Sequence, residues 1–128
     1  MNKEILKKVY ELAKKRYYKY SQTDNSNGTM KLSLEELRSY NEEMKKDALF
    51  KYLNSLSYDD NIMIISAMYI GRDYSKEEFE KEEKLFDKML KDMKCRFPTK
   101  EFVIKQIYQK VPLHEYLEKS FKLYNIKI

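Results

Sequence analysis

The most apolar stretch of the chain is Ile62 to Asp73, in which Ser66 alone interrupts a run of apolar and aromatic residues ahead of Gly71. In a sequence in which 37% of the residues are charged, such a run is the segment most certain to be buried. It is about half as long as the roughly 20 apolar residues that span a bilayer. The pattern therefore predicts a central core element and no membrane-spanning segment.

This central stretch carries signals for the start and the end of a helix. Ser57 and Asp60 have the spacing of a capping pair, and Asp59 and Asp60 are carboxylates that favour the positive end of a helix dipole. Gly71 follows the last apolar residue, as a left-handed C-terminal cap does. The sequence predicts a helix from Tyr58 to about Ile70 that ends at Gly71.

Amphipathic helices are predicted on both sides of the central helix, because apolar residues recur there at three- and four-residue steps. Several have a start signal: Ser75 with Glu78 forms a capping box, Thr99 is a capping residue and Pro112 suits a first turn. The predicted helices are Asn2–Tyr20, one from Ser33, Tyr58–Ile70, a long one from Ser75 to a break at Cys95–Pro98, one after Thr99 and one at Pro112.

The region between the first helix and the central helix is less regular. Ser21–Thr29 is polar and is predicted to be a loop, and Ser33 opens a capping box. The helix that starts there either runs unbroken to about Asn54 or breaks near Lys46 before a short segment from Ala48 to Leu53. The pattern leaves both alternatives open.

These elements define the expected fold. No segment shows sustained strand alternation, no two helices repeat one another, and 128 residues suit one domain. We expect a single all-α domain over residues 1–128, a compact bundle of five or six helices around the central one. The side chains expected to face its interior include Tyr17 on the first helix, Phe86 on the fourth and Phe102 on the fifth.

The sequence offers little for catalysis. Cys95 is the one cysteine and His114 the one histidine, so an internal disulfide and the familiar zinc spacings are excluded. We predict that His114 is an exposed first-turn residue, and an enzyme that uses both residues is the least favoured reading. With two glycines there is no phosphate-cradling loop, and no cofactor is predicted.

The single cysteine and the lack of a visible signal peptide predict a cytoplasmic protein.

The acidic residues that follow the central helix are not predicted to bind a metal. Lysines at positions 76, 81 and 84 are interleaved with them, which is typical of a solvated, salt-bridged helix face. The carboxylates in question are Glu77, Glu78, Glu80, Glu82 and Glu83.

Positive charge is concentrated towards both ends of the sequence. Residues 1–20 carry a net charge of +5 and residues 96–128 carry +4, whereas residues 21–70 carry −3. If the two basic segments meet in space they would attract phosphates or an acidic protein surface. Within the first segment, cations that could contact phosphates alternate with tyrosines that could stack on bases. This candidate nucleic-acid-binding set is Lys14, Lys15, Arg16, Tyr17, Tyr18 and Lys19. The alternative is a solvated face whose tyrosines pack on neighbouring helices.

A second candidate site follows the central helix at Arg72, Asp73 and Tyr74. A loop anchored by a buried helix is a good platform for recognition, and Arg72 could present a planar cation to a partner's carboxylate or phosphate. In the alternative reading Arg72 satisfies the last carbonyls of the helix or pairs with Asp59 or Asp73.

Two separated segments, Ile65–Asp73 and Tyr108–Leu117, together resemble a bacterial and phage family classed only as a domain of unknown function. Its members pair a Leu-Met-Trp/Tyr-Ile-Gly-Arg segment with a later Tyr-Leu-Leu-x-x-Pro-x-Leu-x-x-Tyr-Leu segment. The chain departs from this pattern at Ala67, which stands for a leucine, and at Gln109 and Lys110, which stand for the double leucine. The resemblance implies a compact helical fold and transfers no catalytic residue.

The expected function is that of a non-enzymatic binding protein, because the chemical inventory is thin and the surface is charged and rich in tyrosine. The phage members of the resembled family suggest an accessory protein that binds and inhibits a host defence nuclease or its guide-RNA complex, in the manner of an anti-CRISPR protein. The alternative is a nucleic-acid-binding module that uses the basic first helix. The expected partner is a host protein or protein–RNA complex, or nucleic acid, and no membrane partner is expected.

Overall fold

The structure is a computed structural model that describes residues 1–23 and 42–127. In this part of the chain all regular elements are helices, and the fold is a compact all-α bundle, as predicted. The helices are α1 (Lys3–Thr23), α2 (42–46), α3 (Ala48–Ser55), α4 (Tyr58–Asp73), α5 (Lys76–Lys81), α6 (Leu85–Arg96), α7 (Lys100–Gln109) and α8 (Leu113–Leu123).

Helix α4 is the centre of the bundle. Every residue from Asn61 to Gly71 is buried, and α8, α6 and α7 pack around the helix. Of its two buried polar side chains, Asn61 donates from its amide nitrogen to the carbonyl oxygens of Leu53 and Ser57, and the Ser66 hydroxyl donates to a carbonyl one turn earlier. The Oδ1 atom of Asn61 has no hydrogen-bond partner among the described residues. The predicted central helix is confirmed. No helix among the described residues is both long enough and apolar enough to cross a membrane.

The helix starts that depend on local hydrogen bonds are as predicted. Ser57 accepts a hydrogen bond from the backbone of Asp60, Ser75 and Glu78 form a complete capping box, and Thr99 caps α7. The question left open after Ser33 is settled near Lys46: Asp47 interrupts the helix and caps α3, with its side chain accepting from the backbone of Leu49. The predicted start at Ser33 and most of the predicted loop lie outside the described residues.

The prediction that Gly71 is a left-handed C-terminal cap is wrong. Helix α4 continues through Gly71 to Asp73, and Tyr74 closes it with a backbone hydrogen bond to Ile70. The glycine is instead required by a close approach of helix α8. A Cβ atom at this position would overlap the carbonyl oxygen of Tyr116 and would lie 2.8 Å from the backbone nitrogen of Ser120.

The long helix predicted after Ser75 is two helices. α5 ends at Lys81, and Lys84 adopts a left-handed backbone with φ of 57° before α6 begins. α5 has no buried residue, whereas Leu85, Met89 and Met93 of α6 are buried against the core. After the break, α6 supplies buried core residues, whereas α5 contributes only the partly buried Phe79.

Two predictions near the last helices are also wrong, one about the burial of a side chain and one about the start of a helix. Phe102 was expected in the core but is 45% exposed, and the neighbouring Ile104 is buried in its place. Pro112 immediately precedes α8 as its N-cap instead of lying within the first turn, and the peptide bond before it is cis.

Candidate functional site

Helix α1 packs against α8, so the two basic segments of the sequence are brought together in the fold. α1 carries a net charge of +5, whereas the charged residues of α8, Glu115, Glu118, Lys119 and Lys122, cancel one another although the helix lies in the segment that carries +4. Helix α3 packs on α1 as well. The positive charge of this region therefore comes from α1, which could attract phosphates or an acidic surface.

The α1–α8 contact is built around His114, which was predicted to be exposed but is only 5% exposed. Its imidazole lies 4.9 Å from the ring centroid of Tyr17, 6.2 Å from that of Tyr18 and 6.4 Å from that of Tyr10. The tyrosine rings of α1 therefore cover a side chain that would otherwise be at the surface of the first turn of α8. Among the described residues, no group forms a hydrogen bond with its Nδ1 atom.

This environment disfavours the imidazolium form. Burial lowers the pKa of His114 below its ordinary value of 6.5, Lys14 also lowers it, and Glu115 and Glu118 act in the opposite direction. At neutral pH the buried imidazole is consequently neutral and packs as an aromatic ring.

We expect a pH dependence of stability from this histidine. Because the unfolded chain takes up a proton near pH 6.5 and the folded chain does so only at lower pH, the free energy of unfolding should fall as the pH drops below 6.5, until the pH reaches the lowered pKa. The measurement is urea unfolding of the wild type and of His114→Phe across this range. The free energy of unfolding of the variant, relative to that of the wild type, should increase as the pH becomes acidic. A difference in free energy that does not depend on pH would contradict the burial of a neutral His114.

The outer side of α1 presents five of the six residues of the predicted basic set. Tyr18 is 52% exposed, Tyr17 is 36% exposed, and the three lysines are exposed. The two tyrosine rings meet edge to face with their centroids 5.9 Å apart. We call this surface the Lys–Tyr face; it consists of Lys14, Lys15, Tyr17, Tyr18 and Lys19.

Arg16, the sixth residue of the set, points away from this face. Its side chain is 15% exposed, and its guanidinium lies 3.9 Å from the ring centroid of Tyr108. Nη1 donates to the Tyr108 carbonyl oxygen at 3.3 Å, and Nε lies 3.7 Å from a carboxylate oxygen of Asp47. Arg16 thus joins α1 to α7 and to the start of α3, and its cation is engaged inside the protein.

The second predicted site lies at the end of α4, and two of its three residues pair with each other. Arg72 and Asp73 form a bidentate ion pair, with Nε–Oδ1 and Nη2–Oδ2 distances of 2.7 and 3.1 Å. The guanidinium also lies 4.5 Å from the ring centroid of Tyr69, while Lys110 lies 5.5 Å from the same centroid. Asp73 is the partner of Arg72, and Asp59 pairs instead with Lys94. The alternative reading of Arg72, an ion pair with a neighbour, is the one observed.

Asp73 and Tyr74 also line a cleft of about 440 Å³ between the end of α4, α5 and α6. Four carboxylates and one guanidinium border it, so its charge is opposite to that of the Lys–Tyr face. Its lining consists of Tyr69, Asp73, Tyr74, Glu78, Glu82, Met89, Asp92, Met93 and Arg96. No cluster of histidine, cysteine and carboxylate side chains suited to a metal ion occurs among the described residues.

Several residues that shape these sites were not predicted from the sequence. Tyr10 is 7% exposed and meets the ring of Phe121 edge to face, with the centroids 5.7 Å apart, which places the α1 tyrosines over α8. Tyr108 is 1% exposed, and its role as the platform for Arg16 depends on contacts between α1 and α7 that no local pattern reveals. The contact of Lys110 with the ring of Tyr69 likewise joins residues that are distant in sequence. The three- and four-residue spacing of Tyr10 with Leu6 and Ala13 is the signal that could have identified it.

Comparison of the chain with protein families, with curated proteins and with solved structures finds no match. The resemblance carried by Ile65–Asp73 and Tyr108–Leu117 therefore stays a prediction. In the structure these segments contact each other, because Gly71 of the first lies against the backbone of Tyr116 in the second. The fold and the surface define a small all-α bundle with one basic aromatic face and one acidic cleft.

Proposed function

We propose that the protein is a non-enzymatic binding protein that binds nucleic acid through the Lys–Tyr face. The observation that carries the proposal is the exposure of three lysines and two tyrosines on α1, a helix with a net charge of +5. Lysines neutralise phosphates and release counterions, and aromatic rings stack on bases. The one histidine of the sequence lies beneath the tyrosines and is not available to a substrate.

The face is supported from behind, which favours it as a recognition surface. Tyr17 and Tyr18 rest on the buried His114, and Arg16 fastens the same turn of α1 to Tyr108. A surface whose side chains are already ordered loses less conformational entropy when a ligand binds.

Replacing the three lysines of the face tests the proposal. For Lys14→Gln, Lys15→Gln and Lys19→Gln combined, we expect affinity for a labelled oligonucleotide to fall at least about tenfold at low salt. The slope of log affinity against log salt should become shallower by about 2 for a single strand, since each lost phosphate contact contributes about 0.7. Fluorescence anisotropy over a salt series measures both quantities.

A matched control removes the same charge elsewhere. Lys76, Lys81 and Lys91 are exposed on α5 and α6, and their combined replacement by glutamine should leave the salt slope nearly unchanged. Equal losses in the two triple variants would show that net charge alone is responsible and would contradict the proposal. So would a wild-type protein that shows no salt-sensitive binding.

The second candidate is a protein partner at Asp73 and Tyr74, and the observation that favours it is the acidic cleft that these residues line. Inhibition of a host defence nuclease or its guide-RNA complex by a phage protein rests on the family resemblance alone. If the wild-type chain binds no nucleic acid but retains one host protein in stoichiometric amount from a lysate, this candidate replaces the first.

A further inference from the structure

Helix α5 is weakly attached to the rest of the bundle. It has six residues, and none of them is buried. From Ser75 to Lys84 every side chain is exposed except that of Phe79, which is partly buried against the core. A helix this short is not stable in water by itself, so α5 depends on the contacts that hold it to its neighbours.

The main attachment of α5 is the ring of Phe79. It meets the ring of Tyr124, at the end of α8, edge to face, with the centroids 4.8 Å apart. Tyr124 also meets Phe86 of α6 at 6.3 Å. A second link, the ion pair of Glu82 with Lys88 at 3.2 Å, lies at the surface and therefore contributes little to stability. The position of α5 consequently rests largely on one aromatic contact.

Two features of the structure oppose this position of α5. The hydroxyl of Tyr124 is buried and has no hydrogen-bond partner among the described residues, and burial raises the pKa of Tyr124 to about 12. A buried hydroxyl without a partner costs free energy that contact with water would recover. Lys84, between α5 and α6, has a φ of 57°, a left-handed backbone that is disfavoured for a residue with a Cβ atom. Both costs would be relieved if α5 moved away from Tyr124.

Helix α5 also borders the acidic cleft. Glu78 of α5 and Glu82 beyond it line the cleft together with Met89 and Met93 of α6, which are both buried. A weakly packed surface element of this kind can open locally while the remainder of a protein stays folded.

We propose that α5 is a flap over the acidic cleft, which opens as a unit while the rest of the bundle stays folded. Opening withdraws Glu78 and Phe79 and lets solvent reach Met89 and the ring of Tyr124. The cleft thereby changes from an acidic surface to one with an apolar floor. This inference is independent of nucleic-acid binding at the Lys–Tyr face.

Hydrogen exchange of the full chain tests whether α5 opens alone. We expect its backbone amides to be protected at least about a hundredfold less than those of α4, because local opening needs less free energy than global unfolding. Their exchange should also be insensitive to low urea concentrations, since local opening exposes little surface. Exchange of the α5 amides with the same protection and urea dependence as α4 would overturn the flap.

Three variants test the attachment. Phe79→Ala should lower the protection of the α5 amides about fivefold through loss of the ring contact, although alanine is the better helix former. Tyr124→Phe keeps the ring and removes the unpaired hydroxyl, and should raise this protection at least about threefold. Phe102→Ala removes an exposed ring from α7 and should leave it unchanged. An unchanged α5 protection in Phe79→Ala would contradict the attachment through this ring.

Thiol labelling tests whether the flap controls access to the cleft. In a chain that carries Cys95→Ser and Met89→Cys, the new thiol lies in the cleft and is the one cysteine left. Adding Phe79→Ala should raise its rate of labelling about fivefold, the same factor as for hydrogen exchange. Equal labelling rates with and without Phe79→Ala would show that α5 does not cover the cleft. Circular dichroism establishes that each variant is folded, and hydrogen exchange decides the proposal if Met89→Cys does not fold.

Discussion

Replacing Gly71 with alanine is expected to lower the free energy of unfolding by about 3 kcal/mol, at the upper end of the usual cost of overpacking. The added methyl group would meet the backbone of α8 at Tyr116 and Ser120. Backbone atoms cannot rotate aside as a flexible side chain can, so α8 as a whole has to move away from α4. That movement loosens the contact on which the centre of the bundle depends. Urea unfolding followed by circular dichroism measures the loss.

The sign of this effect discriminates between two explanations of the glycine. If Gly71 were an ordinary helical glycine with space around it, alanine would stabilise the protein by about 1 kcal/mol through helix propensity. If it were a left-handed cap, the cost would come from backbone strain and would be relieved by asparagine, which tolerates that conformation. We expect Gly71→Asn to be at least as destabilising as alanine, because the obstacle is steric. A stabilised alanine variant would contradict the close approach.

Arg16→Ala is expected to lower the free energy of unfolding by about 2 kcal/mol, through loss of the cation–π contact and of a charged hydrogen bond. The lost partners are the ring and carbonyl oxygen of Tyr108 and the carboxylate of Asp47. Arg16→Lys keeps the charge but not the planar group, and should recover less than half of the loss. Urea unfolding midpoints give the comparison.

The exposed neighbour Lys15 provides the control. Lys15→Ala removes the same charge one residue away and should change stability by no more than about 0.5 kcal/mol, as is usual for an exposed site. The order of the two effects should be reversed for binding. Lys15→Ala should weaken nucleic-acid binding, whereas folded Arg16→Ala should retain it. If Arg16→Ala left stability unchanged and abolished binding, Arg16 would belong to the Lys–Tyr face.

Gly71 and Arg16 show which parts of the fold can be predicted from the sequence and which cannot. Ser57, Ser75 and Thr99 were predicted as helix caps, and each forms its hydrogen bond within three residues along the chain. Gly71 and Arg16 were assigned the wrong surroundings, because their decisive neighbours lie on helices far away in sequence. A local pattern has no access to such neighbours.

The candidate site likewise has features that the sequence predicts and features that depend on tertiary contacts. The lysines and tyrosines of residues 14–19 are visible as a basic aromatic run, and the exposure of the lysines follows from helix periodicity. The same periodicity wrongly predicted that Tyr17 faces the interior, whereas it is 36% exposed. Which of them remain on the surface is a separate matter. Arg16 turns inward because Tyr108 and Asp47 offer it a ring, a carbonyl and a carboxylate, and His114 is buried because tyrosines from α1 cover it.

The sequence by itself determined an all-α protein with a buried central helix, since a long apolar run and capping side chains act over a few residues. It also determined the excess of positive charge in residues 1–20 and 96–128. Only the tertiary structure decided that α1 packs on α8, that a glycine in α4 admits the backbone of α8, and that one histidine supports the exposed tyrosines. The physical reason is that packing joins helices remote in sequence, and burial, pKa and close approach are properties of those contacts.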